Sequence, residues 1–272
     1  MSEKKDLHSS LAIVTGAAGG IGFEFAKVLT AYGSSLLLID INEDRLQSAK
    51  RSLKALTVSE AQEIRILALD LTSIEFVRQI DDYCRHYKIE PDILINNAGI
   101  FSFAPISNTA LRKVETFIDL HVRAVTLLSQ WFISKNLPRK RGYLLNMSSM
   151  SCWMPMPGLA LYSSTKSYIR VFTRALHYEA KDYGIGVTVA CPGGIATDLF
   201  GLPEKWKKFA VAIRVLDTPQ RFAKKAVKKM LARKKQYING LLNRFSIFFI
   251  GILPTRIRMM IKHQLLDKGI TR

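Results

Sequence analysis

A glycine-rich turn between a predicted strand and a predicted helix is the feature that most constrains how this chain can fold. Residues 11–15 (LAIVT) are apolar and partly β-branched, TGAAGGIG follows from Thr15 to Gly22, and a helical pattern continues to about Tyr32. Glycines let the backbone approach a pyrophosphate, and the free N–H groups at a helix N-terminus attract its negative charge. The sequence therefore predicts a βαβ unit that binds a phosphate-containing ligand.

Strands and helices alternate beyond this turn. Further strands are predicted near residues 35–40, 63–71, 91–96, 143–149 and 185–191, and helices near 43–57, 73–87, 111–135 and 162–181. This alternation predicts an α/β fold, a three-layer α/β/α arrangement with a Rossmann-type, doubly wound parallel sheet. A chain of 272 residues suits one such domain, so we expect residues 1–240 to form it and 241–272 to form an apolar and basic C-terminal helical extension packed on it.

Composition narrows the class of protein. The three cysteines (Cys84, Cys152 and Cys191) are odd in number and lack metal-ligand spacing, which favours a reducing compartment and no metal site. No secretory signal opens the chain, and no apolar segment reaches the roughly 18 residues of a membrane-spanning helix. We therefore expect a cytoplasmic protein, either soluble or peripheral to a membrane.

Tyr162 and Lys166 are the candidates for acid–base chemistry. Their spacing of four residues places both side chains on one face of a helix, one turn apart. An ammonium this close to a phenol favours the phenolate, so we expect Lys166 to lower the pKa of Tyr162 from about 10 towards working pH. Ser149 ends the predicted fifth strand, thirteen residues before Tyr162, where its hydroxyl could hold a substrate oxygen beside the tyrosine.

Five motifs resemble the short-chain dehydrogenase/reductase family over residues 11 to about 200: TGAAGGIG, Asp40, NNAG at 96–99, Ser149 with Tyr162 and Lys166, and PGGIAT at 192–197. The resemblance implies an oxidoreductase that transfers a hydride between NAD(P) and a carbonyl or secondary alcohol. Tyr162 would exchange the proton, Lys166 would also hold the nicotinamide ribose, and Ser149 would orient the substrate oxygen and stabilise its developing charge. The implied cofactor contacts are Gly16, Ala18, Gly20, Ile21, Gly22, Asp40, Ile41, Asp70, Leu71, Asn97, Ala98, Gly99, Tyr162, Lys166, Pro192, Gly193, Ile195 and Thr197. Because family members are commonly dimers or tetramers, a homodimer or homotetramer is expected.

Asp40, at the end of the second predicted strand, bears on the choice between NAD and NADP. A carboxylate there can accept hydrogen bonds from both adenosine ribose hydroxyls and would repel a 2′-phosphate. Gly19 and Ile41 occupy places where phosphate-binding members of the family often carry Arg or Lys, so NAD is favoured over NADP. Two alternatives stay open: Asp40 could cap the helix that starts near Asn42, and Arg45 is near enough to allow some NADP binding.

His121 is where the chain departs from the family pattern. The resemblance implies an Asn in this stretch, which holds a water that connects the catalytic Lys to solvent, but the segment here is DLHVRAV. Imidazole can donate and accept protons, so His121 could be a fourth catalytic residue in a proton relay. Alternatively, it is a partly buried histidine with satisfied hydrogen bonds, while a backbone carbonyl and a water complete the relay.

The segments around the catalytic residues are strongly apolar, which bears on the substrate. The loop between Ser149 and Tyr162 borders the reacting centre, as does a variable lid at about residues 198–216 by resemblance. We expect a pocket wall from Phe101, Met154, Met156, Leu199, Phe200 and Trp206. The substrate is therefore predicted to be an apolar, steroid-, lipid- or ring-like ketone or alcohol. The alternatives are a membrane-associated 3-keto-lipid reductase and a cofactor-binding regulatory protein with weak or no catalysis.

The net charge of +18 belongs almost wholly to the C-terminal quarter. Residues 1–203 contain 22 Lys/Arg and 19 Asp/Glu, a net of +3, whereas residues 204–272 contain 18 and 3, a net of +15. A basic amphipathic helix is predicted at 218–235, an apolar segment at 241–253, and a second basic amphipathic segment after it. These segments either cover the substrate pocket or a subunit interface, or contact an anionic membrane peripherally. Nucleic-acid binding is not expected, because the basic faces lack interleaved aromatic residues.

Overall fold

The computed structural model, which describes residues 7–195, 217–263 and 266, is built around one parallel sheet. Within these ranges the sheet has seven strands in the order β3-β2-β1-β4-β5-β6-β7. The strands are β1 (Leu11–Thr15), β2 (Ser35–Asp40), β3 (Ile64–Ala68), β4 (Ile93–Asn96), β5 (Gly142–Met147), β6 (Ile185–Ala190) and β7 (Gln236–Tyr237). The predicted doubly wound parallel sheet is therefore confirmed.

Helices cover both faces of the sheet. They are α1 (Gly20–Thr30), α2 (Glu43–Lys54), α3 (Phe76–His86), α4 (Leu111–Ile118), α5 (Ala124–Asn136), α6 (Ala160–Lys181), α7 (Pro219–Leu231), α8 (Leu241–Gly251) and α9 (Thr255–Lys262). Because successive side chains of a strand point to opposite faces, Ala12 and Val14 join a core with α1, α2 and α7, whereas Ile13 joins a core with α3 and α5. The strands β1, β2, β4, β5 and β6 are buried on both faces, which explains their nearly continuous apolar sequences.

The carboxyl ends of β1 and β4 form the place where a ligand can enter. These two strands are neighbours, with Val14 opposite Ile95, but the chain leaves them in opposite directions across the sheet. Parallel α/β sheets bind ligands in the crevice at such a switch point. The glycine-rich turn follows β1 and the NNAG motif follows β4, so the two predicted cofactor motifs meet there.

The predicted helix at residues 111–135 is divided in the structure. A π-helical turn, Asp119–Arg123, joins α4 to α5 and contains His121, whose side chain is fully buried. Such turns are rare and are frequent at functional sites. The apolar periodicity of the segment predicts a helix but carries no signal for this wider turn.

Two helices follow the last strand. α8 and α9 occupy the apolar and basic segments, which confirms the C-terminal helical extension. α8 packs on the 3₁₀ turn Met150–Trp153, where the Ser246 hydroxyl lies 3.9 Å from the Met150 sulfur. Among the residues that the structure describes, no helix combines the length and hydrophobicity needed to cross a bilayer.

Candidate active site

The glycine-rich turn brings its backbone close to the end of β4. Gly16 has φ +63°, and a Cβ atom there would lie 2.9 Å from the Ala98 Cα, so only glycine fits both the conformation and the space. A Cβ atom at Gly22 would collide with the Gly16 carbonyl oxygen. The Asn97 side chain donates to the Thr15 and Gly16 carbonyl oxygens at 3.1 and 3.2 Å, which ties the turn to the NNAG segment. The turn is thus held open at the N-terminus of α1.

A pocket of about 410 Å³ lies between the glycine-rich turn and α6. Its lining includes eleven predicted residues: Gly16, Ala18, Gly20, Ile21, Asp40, Asn97, Ala98, Gly99, Tyr162, Lys166 and Pro192. It also includes Gly19, Arg45, Ile100, Met147 and Ser148, which the sequence analysis did not assign as contacts. Arg45, in the first turn of α2, is the residue that the sequence analysis named as near enough to allow some NADP binding, and the other four lie within two residues of predicted positions.

Asp40 stands at the edge of this pocket with both carboxylate oxygens hydrogen-bonded to the backbone. The Ala18 N–H donates to Oδ2 at 3.0 Å and the Asn42 N–H donates to Oδ1 at 3.2 Å. The cap of α2 is Asn42, whose side chain accepts from the Arg45 N–H at 2.9 Å, so Asp40 is not the capping residue. The Arg45 guanidinium lies against Gly19, where a Cβ atom would be 2.8 Å from Nη2. One edge of the pocket therefore carries a carboxylate and a guanidinium.

Tyr162 and Lys166 lie on one face of α6 and are both buried. The Lys166 ammonium donates to the Met147 carbonyl oxygen at 3.1 Å and lies 5.7 Å from the centre of the Tyr162 ring. Burial raises the pKa of Tyr162 to about 12, and the neighbouring Ser149 hydroxyl offsets part of that rise. Burial also lowers the pKa of Lys166 to about 8. Burial therefore moves the tyrosine pKa in the direction opposite to the predicted lowering, because loss of hydration destabilises the phenolate.

Ser149 follows β5 and begins the 3₁₀ turn beside Tyr162. Its Oγ accepts a hydrogen bond from the Ser151 N–H at 3.1 Å, which leaves its own proton available to a further acceptor. The next residue back, Ser148, donates to the Lys166 carbonyl oxygen at 2.7 Å and fastens the end of β5 to α6. Strand and helix thus hold the serine, tyrosine and lysine side by side.

His121 is a fully hydrogen-bonded, neutral residue in the described structure. The Ile100 N–H donates to Nε2 at 3.0 Å, and because a backbone N–H can only donate, the ring proton is on Nδ1. Nδ1 lies 3.0 Å from the Thr165 hydroxyl, which in turn donates to the Tyr162 carbonyl oxygen at 3.0 Å. Burial, and secondarily the charge of Lys166, lowers the pKa of His121 to about 2. This geometry favours the second of the two alternatives for His121, a buried histidine with satisfied partners.

Several other predicted cofactor contacts do not line the pocket. Gly22 lies within α1, and Ile41 is exposed. Asp70 accepts hydrogen bonds from the Thr72 N–H and hydroxyl, and the Gly193 N–H donates to Asn239. The side chains of Leu71 and Ile195 enter the two cores. Thr197 lies outside the described residues. A family motif identifies the loop, but the packing of each loop decides which of its residues reach the pocket.

The predicted substrate wall is described only on one side. The Phe101 ring meets the Tyr162 ring edge to face, with centroids 5.0 Å apart. Met154 and Met156 are half-buried in the loop before α6. Leu199, Phe200 and Trp206, with the predicted lid at 198–216, lie outside the described residues. Phe101 is therefore the predicted wall residue that the structure brings to Tyr162.

Comparisons with known proteins match this arrangement of motifs. The family model described as short chain dehydrogenase matches residues 10–208. The chain is 27% identical to dehydrogenase/reductase SDR family member 7B of Xenopus laevis over 265 residues, which is 92% of this chain and 80% of that protein. It is 31% identical to very-long-chain 3-oxoacyl-CoA reductase-A of Danio rerio over 192 residues, 69% of this chain and 59% of that protein. The structure of L-sorbose reductase from Gluconobacter frateurii, complexed with NADPH and L-sorbose, superposes with a TM-score of 0.74 at 25% identity, covering 86% of this chain and 96% of that one.

Proposed function

Because this chain belongs to the short-chain dehydrogenase/reductase family, we propose that it transfers a hydride between NAD(P) and the carbonyl or secondary alcohol carbon of an apolar substrate. One observation carries the proposal: Tyr162 and Lys166 line the same pocket as the glycine-rich turn. Tyr162, as the proton donor, therefore lies next to the glycine-rich turn that would bind a pyrophosphate. The proposal assigns the roles of the catalytic residues and the class of substrate.

The residues of the pocket fit a dinucleotide. Gly16 and Gly22 let the turn pack closely, since a Cβ atom at Gly16 would lie 2.9 Å from the Ala98 Cα and one at Gly22 would collide with the Gly16 carbonyl oxygen. The turn and the N-terminus of α1 suit the pyrophosphate, and Asp40 suits the adenosine ribose. Lys166 suits the nicotinamide ribose. When bound, the cofactor supplies or takes the hydride.

The protein side of the reaction follows from the protonation states. With its pKa raised to about 12, Tyr162 is a neutral phenol at pH 7, which is the form that donates a proton to a carbonyl oxygen. The Ser149 proton can hold the same oxygen and stabilise the charge that develops on it. His121 and Thr165 act on Tyr162 indirectly, because their hydrogen bonds connect the Ile100 N–H to the Tyr162 carbonyl oxygen. We assign His121 as a positioning residue.

We propose NAD as the preferred cofactor, on the charge at the pocket edge. The Asp40 carboxylate would repel a 2′-phosphate and can accept from ribose hydroxyls. The Arg45 guanidinium beside it would reduce that repulsion without removing it, because this side chain is exposed and its charge is screened by water. The expected result is tighter binding of NADH than of NADPH, with measurable binding of both.

The proposed substrate is bulky and apolar. Phe101 presents an aromatic edge to Tyr162, and the loop from Cys152 to Leu159 that leads to α6 contains no charged side chain. A second candidate function is reduction of a 3-oxoacyl lipid. It is supported by the similarity to a fish protein named as a very-long-chain 3-oxoacyl-CoA reductase.

Tyr162→Phe tests the proposal, since it removes the proton donor and keeps the ring. We expect turnover of a bulky ketone to fall by at least about 100-fold, because general acid catalysis contributes about that much, while NADH affinity stays nearly constant. The measurements are absorbance loss of NADH over a panel of steroid, acyl and cyclic ketones, and a fluorescence titration of NADH and NADPH. Tyr178→Phe on the same helix is the matched control, because Tyr178 is exposed and lies against Lys235.

The outcomes separate the alternatives. Retained turnover in Tyr162→Phe would overturn the catalytic assignment. Binding of NADH by the unchanged protein without turnover on any ketone would instead support a cofactor-binding regulatory protein. Turnover confined to 3-oxoacyl substrates would select the second candidate function.

A further inference from the structure

The C-terminal extension exposes a row of large apolar side chains. Leu242, Phe245, Phe249 and Ile252 are each between 63% and 67% exposed. Their spacings of three, four and three residues place them along one side of α8 and its C-terminal turn. We call these four residues the apolar row. Contiguous exposed apolar side chains of this kind mark an interaction surface rather than ordinary protein surface.

The side of α8 that faces the protein carries Asn243, Ser246 and Ile247, each of them half-buried. Asn243 donates to the Asn239 carbonyl oxygen at 2.8 Å and fills the space where a Cβ atom of Gly193 would lie. Ser246 meets Met150, as described above. A surface helix of a globular protein normally turns its apolar side inward. The apolar row of α8 instead keeps most of its surface exposed, so it is a candidate surface for an external occupant.

The charge of the surrounding sequence distinguishes between two occupants of the apolar row, a second copy of the chain and a membrane. Between Thr218 and His263 the sequence holds 12 Lys/Arg and no Asp/Glu. Arg244 and Arg256 are exposed on α8 and α9 themselves. A second copy of the chain would bring the same cations into contact with these and would be repelled. An apolar side flanked by cations on an exposed helix complements a bilayer whose headgroups are anionic.

The extension also lies at the substrate side of the active site. Met150, which α8 contacts, directly follows Ser149. Leu266 and Phe103 both pack against Gly158 in the loop that leads to α6, where a Cβ atom would be 3.1 and 2.9 Å from them. An external surface that binds the extension would therefore also lie next to the loop before α6.

We propose that the apolar row and its neighbouring cations dock on an anionic membrane surface, with α8 in the plane of the interface. The extension does not cross the bilayer. Docking at this position brings the apolar loop before α6 towards the lipid, which suits an apolar substrate. The surface is argued from side-chain exposure and charge between residues 218 and 263, so it stands or fails independently of the proposed catalysis.

The test is co-sedimentation of the full chain with vesicles. We expect binding to phosphatidylcholine vesicles that contain about 30 mol % phosphatidylglycerol, and at least about tenfold weaker binding to pure phosphatidylcholine, because cations are attracted to anionic headgroups. Leu242→Ser with Phe245→Ser should abolish binding to the anionic vesicles, since an interfacial helix needs its apolar side. Arg244→Glu with Arg256→Glu should weaken it by at least about tenfold.

Two matched pairs of substitutions elsewhere on the surface control for the general change in amino-acid composition. Ile74→Ser with Leu111→Ser removes two apolar side chains that are 84% and 74% exposed, and Lys54→Glu with Lys113→Glu reverses two exposed charges. Both control pairs should bind as the unchanged protein does. An unchanged thermal midpoint confirms that each variant folds.

Absence of binding to anionic vesicles, or equal loss in the control pairs, overturns the proposal. Loss of a dimer by the Leu242 and Phe245 variant, with no vesicle binding in the unchanged protein, would assign the row to a second copy and overturn it too.

Discussion

At the active site charged and polar side chains are buried, whereas on α8 large apolar side chains are exposed. Lys166 and His121 are almost fully buried, but Leu242 and Phe245 are each 67% exposed. Both regions depart from the usual distribution, in which charges stay in water and apolar groups leave it. The buried groups of the site are held by hydrogen bonds to named partners, whereas Leu242 and Phe245 on α8 keep most of their surface exposed. A folded chain accepts such costs where function needs them.

The comparison predicts that substitution of a buried ionisable side chain changes stability or activity more than substitution of an exposed one. Buried ionisable groups carry hydration costs that solvent cannot reduce, whereas exposed charges are screened. Lys166 and His121 are buried and Arg45 is exposed, and each of the three can be tested by a different measurement.

Removal of the buried ammonium should have the largest effect on stability. Burial lowers the pKa of Lys166 from 10.5 to about 8, so between these pH values the unfolded chain binds more protons than the folded chain and stability rises with pH. A pKa lowered by this amount corresponds to about 3 kcal/mol. We expect Lys166→Met to raise the free energy of unfolding by up to about 3 kcal/mol at pH 7 and by much less at pH 10, measured by denaturant unfolding without cofactor.

The control for this prediction is Lys113→Met, whose side chain is exposed. It should leave the pH dependence of stability unchanged. If Lys166→Met stabilises the protein equally at both pH values, hydration of the ammonium is not the cause, and the contrast between buried and exposed charges loses its main support.

His121→Asn should have an intermediate effect. The shorter side chain cannot reach both the Ile100 N–H and the Thr165 hydroxyl, so we expect a loss of about 1–2 kcal/mol in stability and about tenfold in kcat. Because burial lowers the pKa of His121 to about 2, the ring does not titrate between pH 6 and 9, and the shape of the pH–rate profile should not change. Thr165→Val removes the same hydrogen bond from the other side and should give the same result. A changed profile in His121→Asn alone would restore the proton-relay alternative.

Arg45→Ala should have the smallest effect, and only on cofactor choice. Arg45 is exposed at the pocket edge, so we expect NADPH affinity to fall by about two- to fivefold and NADH affinity to stay constant, as an exposed charge pair is worth less than about 1 kcal/mol. Fluorescence titration of both cofactors measures the ratio. Arg51→Ala, on the same helix but outside the pocket lining, is the control. An equal loss for both cofactors would mean that Arg45 does not face the 2′-phosphate position.

The sequence by itself determined the sheet, the glycine-rich turn and the pairing of Tyr162 with Lys166. These follow from local rules: apolar runs make buried strands, φ +63° at Gly16 needs a glycine, and a spacing of four residues puts two side chains on one helical face. Each rule involves residues close in sequence, so no knowledge of the packing is required. Eleven of the residues that the family motifs implied line the pocket.

Only the tertiary structure decided the environment of those residues. The spacing of Tyr162 and Lys166 predicts a lowered tyrosine pKa, but burial reverses the direction, and burial depends on how α6 packs against β5. The partners of His121 and the π-helical turn that carries it likewise come from contacts between distant segments, as does the position of the Arg45 guanidinium against Gly19. The outward apolar row of α8 belongs here too, because a nearly continuous apolar segment does not show which of its side chains face the protein.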